Sequence, residues 1–246
     1  MKTLIHRILY RTLPFEGYLR AVSRMFFVWQ RLGIGRYAPA TEYVYHLGRL
    51  VRRGDTCIDI GANLGYYART ISRLTGPEGR VYAVEPVEPV EPIRRVLERN
   101  LHRCRNVEIL PYALGTESRT VAMGNDSARE TGYFGTGQNF VNDSGRQTDT
   151  AFTAEMRRGS ELFARLERLD FIKCDIEGYE VVVMREMLPL LERFRPTVLI
   201  ETGGANRPEI IRLFTGLGYA GYTLEHGREV PLTEDSTKDI IFRHAH

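Results

Sequence analysis

Apolar positions along this chain fall in short runs bounded by acids, glycines and prolines. Thr56-Cys57-Ile58-Asp59-Ile60, Val81-Tyr82-Ala83-Val84 and Phe171-Ile172-Lys173-Cys174 are three such runs. They read as short buried strands, and further strands are expected near Val107, Thr197, Tyr219 and Ile240. Helical periodicity centres on Tyr67, Ile93, Val181 and Ile210 between them. Strands alternating with helices argue for a parallel α/β sheet covered on both faces. The alternation breaks between Gly115 and Asp170. Gly124 to Thr150 is rich in Gly, Asn, Asp, Ser and Thr, with Tyr133, Phe134 and Phe140 embedded. So long an irregular segment in a compact domain is expected to be a mobile, substrate-side insertion. Phe152 to Leu166 reads as a charged helical stretch.

Three of the runs close on acids, and there the chemistry gathers. After Asp59-Ile60 comes Gly61-Ala62-Asn63-Leu64-Gly65, a strand, a glycine-bounded turn and the start of a helix. In open α/β sheets this is where nucleotide-like ligands sit. The spacing is not Gly-x-Gly-x-x-Gly, because Asn63 replaces the middle glycine and Asp59 would repel a diphosphate. An acid beside such a turn suits a ligand with a cationic end, such as S-adenosylmethionine. Glu85 ends the next strand, where an acid takes ribose hydroxyls. It opens the triplet run Glu85-Pro86-Val87-Glu88-Pro89-Val90-Glu91-Pro92, whose later copies read as the start of a helix, with Glu88 the next ribose candidate. A dinucleotide oxidoreductase would need a third glycine, and a non-catalytic scaffold would be expected to have lost these acids.

With Ala113-Leu114-Gly115, Ile172-Lys173-Cys174-Asp175-Ile176-Glu177-Gly178 and Glu201 added, the chain resembles the FkbM family of S-adenosylmethionine-dependent O-methyltransferases from about Gly54 to Phe242. The resemblance implies a Rossmann-like class I sheet of seven strands, mostly parallel, with Thr237 to Phe242 antiparallel beside Tyr219 to Leu224. It implies a cofactor held by Asp59, Gly61, Asn63, Gly65 and Glu85, with Ala113 against the adenine. It also implies methylation of a hydroxyl on a sugar, glycan or polyketide-like metabolite. Removing a hydroxyl proton calls for a base or a metal. Asp175 or Glu177 would supply the base, and Asp175, Glu177 and Glu201 together would offer oxygen ligands to Mg²⁺. For Glu177 the alternative reading is a cofactor-orienting and helix-capping role, and both readings stand. His226, before Gly227, is the one histidine expected to reach the site; His6, His46, His102, His244 and His246 read as surface residues.

The 246 residues suit one methyltransferase domain, 54–246, behind an N-terminal helical appendage, 1–53. That appendage carries ten Lys or Arg against two Glu, whereas the whole chain is only +3. Leu4, Ile5, Ile8 and Leu9 share a helix face, and Met25 to Trp29 form an aromatic cluster. A cap on the sheet or on a second copy, a homodimer, is expected; the alternative is a basic amphipathic membrane contact. RNA is not the expected acceptor, since the fourth strand closes on Asp175-Ile176-Glu177 and not on the Asn/Asp-Pro-Pro-Tyr pattern of base methyltransferases. Three cysteines, two of them in buried strands, give no disulfide framework and point to a cytoplasmic location. No run is long enough to span a bilayer, and Arg7 and Arg11 interrupt any leader-like pattern.

Overall fold

The computed structural model describes residues 2–86, 91–203, 206–237 and 239–244. Glu88 and His246 lie outside them, as does the 87–90 part of the triplet run.

Three helices begin the chain: α1 (Lys2–Thr12), α2 (Phe15–Arg31) and α3 (Glu42–His46). Tyr18, Leu19 and Val22 share one face of α2 and are buried. They enter the same core as Val44 and Leu47, and as residues of the first helices that cover the sheet. The N-terminal segment therefore caps the sheet of its own chain. Its outer face leaves Leu4, Ile8, Val28 and Leu32 exposed.

The sheet starts with β1 (Thr56–Ile60), α4 (Tyr66–Thr75), β2 (Arg80–Val84), α5 (Glu91–Leu101) and β3 (Val107–Leu110). These strands pair in parallel, Ile58 opposite Tyr82 and Ala83 opposite Ile109. The chain then leaves the sheet. A second, four-stranded sheet forms from β4 (Ala113–Leu114), β5 (Arg119–Asn125), β6 (Phe140–Val141) and β7 (Thr150–Arg157), with α6 (Ser127–Thr131) between β5 and β6.

Contrary to the expected charged helical stretch, Phe152 to Leu166 opens as a strand, not a helix. Ala154 and Met156 are buried while Ala151, Thr153, Glu155 and Arg157 face solvent, a period of two. Only the short α7 (Gly159–Leu162) follows. β7 pairs antiparallel along all of β5, which overrides the helical propensity of its charged residues.

The main sheet resumes with β8 (Phe171–Cys174), α8 (Glu180–Glu186), α9 (Leu188–Phe194), β9 (Thr197–Ile200), α10 (Asn206–Gly216), β10 (Tyr219–Glu225), β11 (Arg228–Pro231) and β12 (Ile240–His244). Among the described residues the order is β11-β10-β12-β9-β8-β1-β2-β3. β12 runs antiparallel between β9 and β10, as expected. The eighth strand, β11, is an added edge closed by a two-residue turn. His226 (φ 49°) and Gly227 (φ 75°) are both left-handed there, as a type I′ hairpin requires. A second core, on the opposite face of the sheet, holds Met184, Leu191, Ile210 and Phe214. From β1 the order runs outward one way to β2 and β3 and the other way to β8 and β9. That reversal opens a crevice at the carboxyl ends of β1 and β8.

Candidate active site

The turn after β1 is shaped by backbone crowding. Gly61 has φ 77°, and a Cβ there would lie 1.9 Å from the carbonyl oxygen of Asp175. Its N–H and that of Ala62 both donate to Val84 O, at 2.9 and 3.0 Å. Asn63, also left-handed at φ 52°, donates its N–H to Glu85 Oε2 at 2.7 Å. Gly65 faces the other way. A Cβ on it would meet the Leu101 side chain of α5 at 3.0 Å, so this glycine serves helix packing and does not line the crevice.

Beneath the turn lies a buried cation among acids. Lys173, from the middle of β8, is 4% exposed. Its Nζ donates to Gly61 O at 3.0 Å and stands 3.1 Å from Asp175 Oδ2, 3.7 Å from Asp59 Oδ1 and 5.0 Å from the centre of the Tyr67 ring. Burial opposes its charge, but Asp175 and Asp59 outweigh that and hold the ammonium protonated well above the usual lysine range. Asp59 is wholly buried, and neither carboxylate oxygen has a hydrogen-bond partner among the described residues. Burial pushes its carboxyl up to about 6 against the pull of Lys173. Glu85 is likewise pushed up to about 7 by burial, although the Asn63 N–H draws it down.

Asp175, Glu177 and Glu201 come together, their carboxylate oxygens within 4.8 Å of one another. Lys173 and a hydrogen bond from Glu201 overcome burial and keep Asp175 ionised below its ordinary range. That hydrogen bond and then burial push Glu201 well above the ordinary glutamate range, and the two carboxyls titrate as a coupled pair. Partial desolvation and then the charges of Asp175 and Glu180 push Glu177 up to about 7. The loop carrying them is tied down from below: Glu180, buried at the start of α8, accepts the N–H groups of Ile176 and Gly178 at 3.1 and 3.0 Å.

The crevice is lined by Gly61, Asn63, Glu85, Ala113, Asp175 and Glu177 from the expected set. Tyr112 and Leu114 continue the wall beside Ala113, while Thr136, Gly137 and Asn139 reach over from the insertion. Asp59 and Glu201 are not part of this lining. The structure does not bring His226 to it: that residue is exposed at the tip of the β10–β11 turn. Phe134, one of the aromatic residues embedded in the insertion, is 4% exposed and packs edge-on against Phe15, so it offers no face to the crevice. Of the histidines expected at the surface, His46 is buried and paired to Glu229 at 2.6 Å.

Sequence reasoning missed Lys173 and Glu180 as organising residues. The signal was available, because a lysine inside an apolar strand is almost never buried without a paired charge.

Residues 59–222 match the Methyltransferase FkbM domain. The protein-L-isoaspartate O-methyltransferase of Ignicoccus hospitalis is 31% identical over 102 residues, covering 32% of this chain and 48% of that protein. The crystal structure of an FkbM methyltransferase from Methylobacillus flagellatus superposes with a TM-score of 0.49 at 14% identity, over 82% of this chain and 50% of that one. Aeropyrum pernix fibrillarin, solved with S-adenosyl-L-methionine bound, gives 0.44 at 16% identity, over 79% and 68% of the two chains. This chain spans about half the length of the first two proteins. The family match covers well over half of the present sequence. The sheet and crevice are those of a methyltransferase domain, and the chain belongs to the FkbM methyltransferase family.

Proposed function

We propose that this chain transfers the methyl group of S-adenosylmethionine to a hydroxyl oxygen, on an acceptor with a saccharide or similarly hydroxyl-rich part. The observation that carries the reading is the acid-rich crevice around one buried cation. Glu85, Asp175 and Glu177 line it and Asp59 is buried beside Lys173, the single lysine counter-charge among the described residues, an environment that favours a sulfonium and an ammonium. The residues present fit that cofactor. Asn63 Oδ1 is buried without a partner among the described residues, and Glu85 stands at the β2 end, where a ribose is held. Thr136 and Asn139 on the opposite wall suit a hydroxyl-rich acceptor.

In the transfer the acceptor oxygen attacks the methyl carbon and the carbon–sulfur bond breaks. Its electron pair stays on sulfur, giving S-adenosylhomocysteine. The acceptor's proton goes to Glu177, which lines the crevice with a carboxyl near 7, close to the value that suits a base at neutral pH. Asp175, held ionised by Lys173, orients the hydroxyl, whereas Glu201 does not line the crevice and is hydrogen-bonded to Asp175. Alignment of the two reactants can supply about 7–11 kcal/mol of the barrier. A second reading has Asp175, Glu177 and Glu201 as oxygen ligands of Mg²⁺, favoured by their mutual approach within 4.8 Å.

The test is transfer of isotope-labelled methyl from S-adenosylmethionine to a panel of saccharides and hydroxylated metabolites, with and without EDTA. Labelled ether products that persist in EDTA support Glu177 as base. Products lost in EDTA and restored by Mg²⁺ support the metal reading. Labelled carboxylate or amine products would overturn O-methylation of hydroxyls.

A further inference from the structure

A second cavity, of about 280 Å³, opens between the N-terminal helices and the sheet. Helix α2 contributes Val22, Met25, Phe26 and Trp29 to its wall, and α3 contributes Val44. The volume is far above the roughly 10–15 Å³ that one water molecule needs on the same measure, and is room for a ring or a chain of several methylenes. Its lining is predominantly apolar, so a polar guest would leave its hydrogen bonds unmade there.

The cavity adjoins the crevice: Tyr66, Tyr67 and Asp175 line both. Asp175 is thus the carboxylate at which the two meet. A molecule whose apolar body filled the cavity would present its polar end at Asp175, beside Glu177 and facing Gly61 and Asn63. We infer that this cavity is the acceptor's apolar subsite, and that the natural acceptor is an amphiphile joining a hydroxyl-rich head to a hydrocarbon or ring-shaped body. The inference rests on the methyl-transfer reading and deepens it. The head occupies the polar crevice wall at Thr136 and Asn139, and the body occupies the space under α2.

Trp29 is the single tryptophan of the chain and lines the cavity, so its emission reports occupancy directly. The experiment titrates full-length protein with octyl β-glucoside, kept below its micellar concentration, and separately with methyl β-glucoside. S-adenosylmethionine affinity is measured in parallel by calorimetry. Octyl glucoside should shift Trp29 emission saturably, and methyl glucoside should not. Val44→Phe, or Ala40→Phe at the exposed rim should the buried change unfold the protein, should weaken octyl glucoside binding about tenfold or more while leaving cofactor affinity unchanged. Equal responses to the two glucosides would overturn the subsite. So would undiminished octyl glucoside binding in a folded, filled variant. Loss of S-adenosylmethionine binding by the unaltered protein would instead sink the methyl-transfer reading, and the two failures are read from separate titrations.

Discussion

At the scale of single residues, the site is governed by how charge is buried. Removing Lys173 would strand Asp59 and Asp175 under the β1 turn, and breaking a buried ion pair by deleting one partner costs about 3–5 kcal/mol. Lys173→Met should therefore lower the unfolding free energy by about that much, read by urea denaturation. A loss below about 1 kcal/mol would mean that the acids simply take up protons. Glu85 gives a pH test. Its folded-state value, about 7, lies above that of an unfolded glutamate, so the folded chain holds the proton more tightly. Its stabilising contribution is present below the ordinary glutamate range and is lost as pH rises through about 7, a total near 3 kcal/mol at the scale of 1.36 kcal/mol per unit. The apo protein should lose more stability between about pH 5 and 8 than Glu85→Gln does. Saturating S-adenosylmethionine should reduce that difference, because a bound cation favours the ionised carboxylate. Parallel stability–pH curves for the two proteins would show that burial does not raise Glu85.

At the scale of elements, the strands of the main sheet were legible because they are short, apolar and closed by acids. The acids at those ends gave Glu85, Asp175 and Glu177 their places. What was not legible was pairing at long range. The β5–β7 sheet joins residues some thirty positions apart, and the alternation of Ala154 and Met156 was masked by charged neighbours on the outward face. Glycine spacing in the β1 turn also looked like one motif and serves two purposes. Gly61 clears the Asp175 carbonyl and Gly65 clears Leu101. His226 is a further case: a histidine before a glycine was read as chemistry, and its left-handed backbone belongs to the β10–β11 turn. His226→Asn should consequently leave turnover within about twofold and stability unchanged or slightly higher, since asparagine favours such turns. A loss of about two or more orders of magnitude in kcat, the scale of missing acid–base help, would return His226 to the catalytic machinery.

At the scale of the whole molecule, the N-terminal helices join three parts: the sheet, the apolar cavity and the insertion. Tyr18 of α2 donates its hydroxyl to Phe134 O at 2.9 Å, and Arg7 of α1 donates to Thr131 O at 2.6 Å. Phe15 and His6 add edge-on ring contacts to Phe134 and Tyr133. Through these contacts the cap holds the insertion whose Thr136, Gly137 and Asn139 form one wall of the crevice. A lid hinged in this way would loosen when the cap is cut and tighten when the crevice is filled. Tyr18→Phe should cost only about 0.5–1.5 kcal/mol of global stability, the usual worth of one hydrogen bond. Its effect should concentrate in the segment 124–150, seen as faster amide hydrogen exchange there than in β1 or β8. S-adenosylhomocysteine together with an accepted hydroxyl compound should slow exchange in that segment for the unaltered protein, and less so for Tyr18→Phe. If exchange in 124–150 is the same in both proteins and insensitive to ligands, the cap and the insertion are mechanically independent, and the wall over the crevice is static.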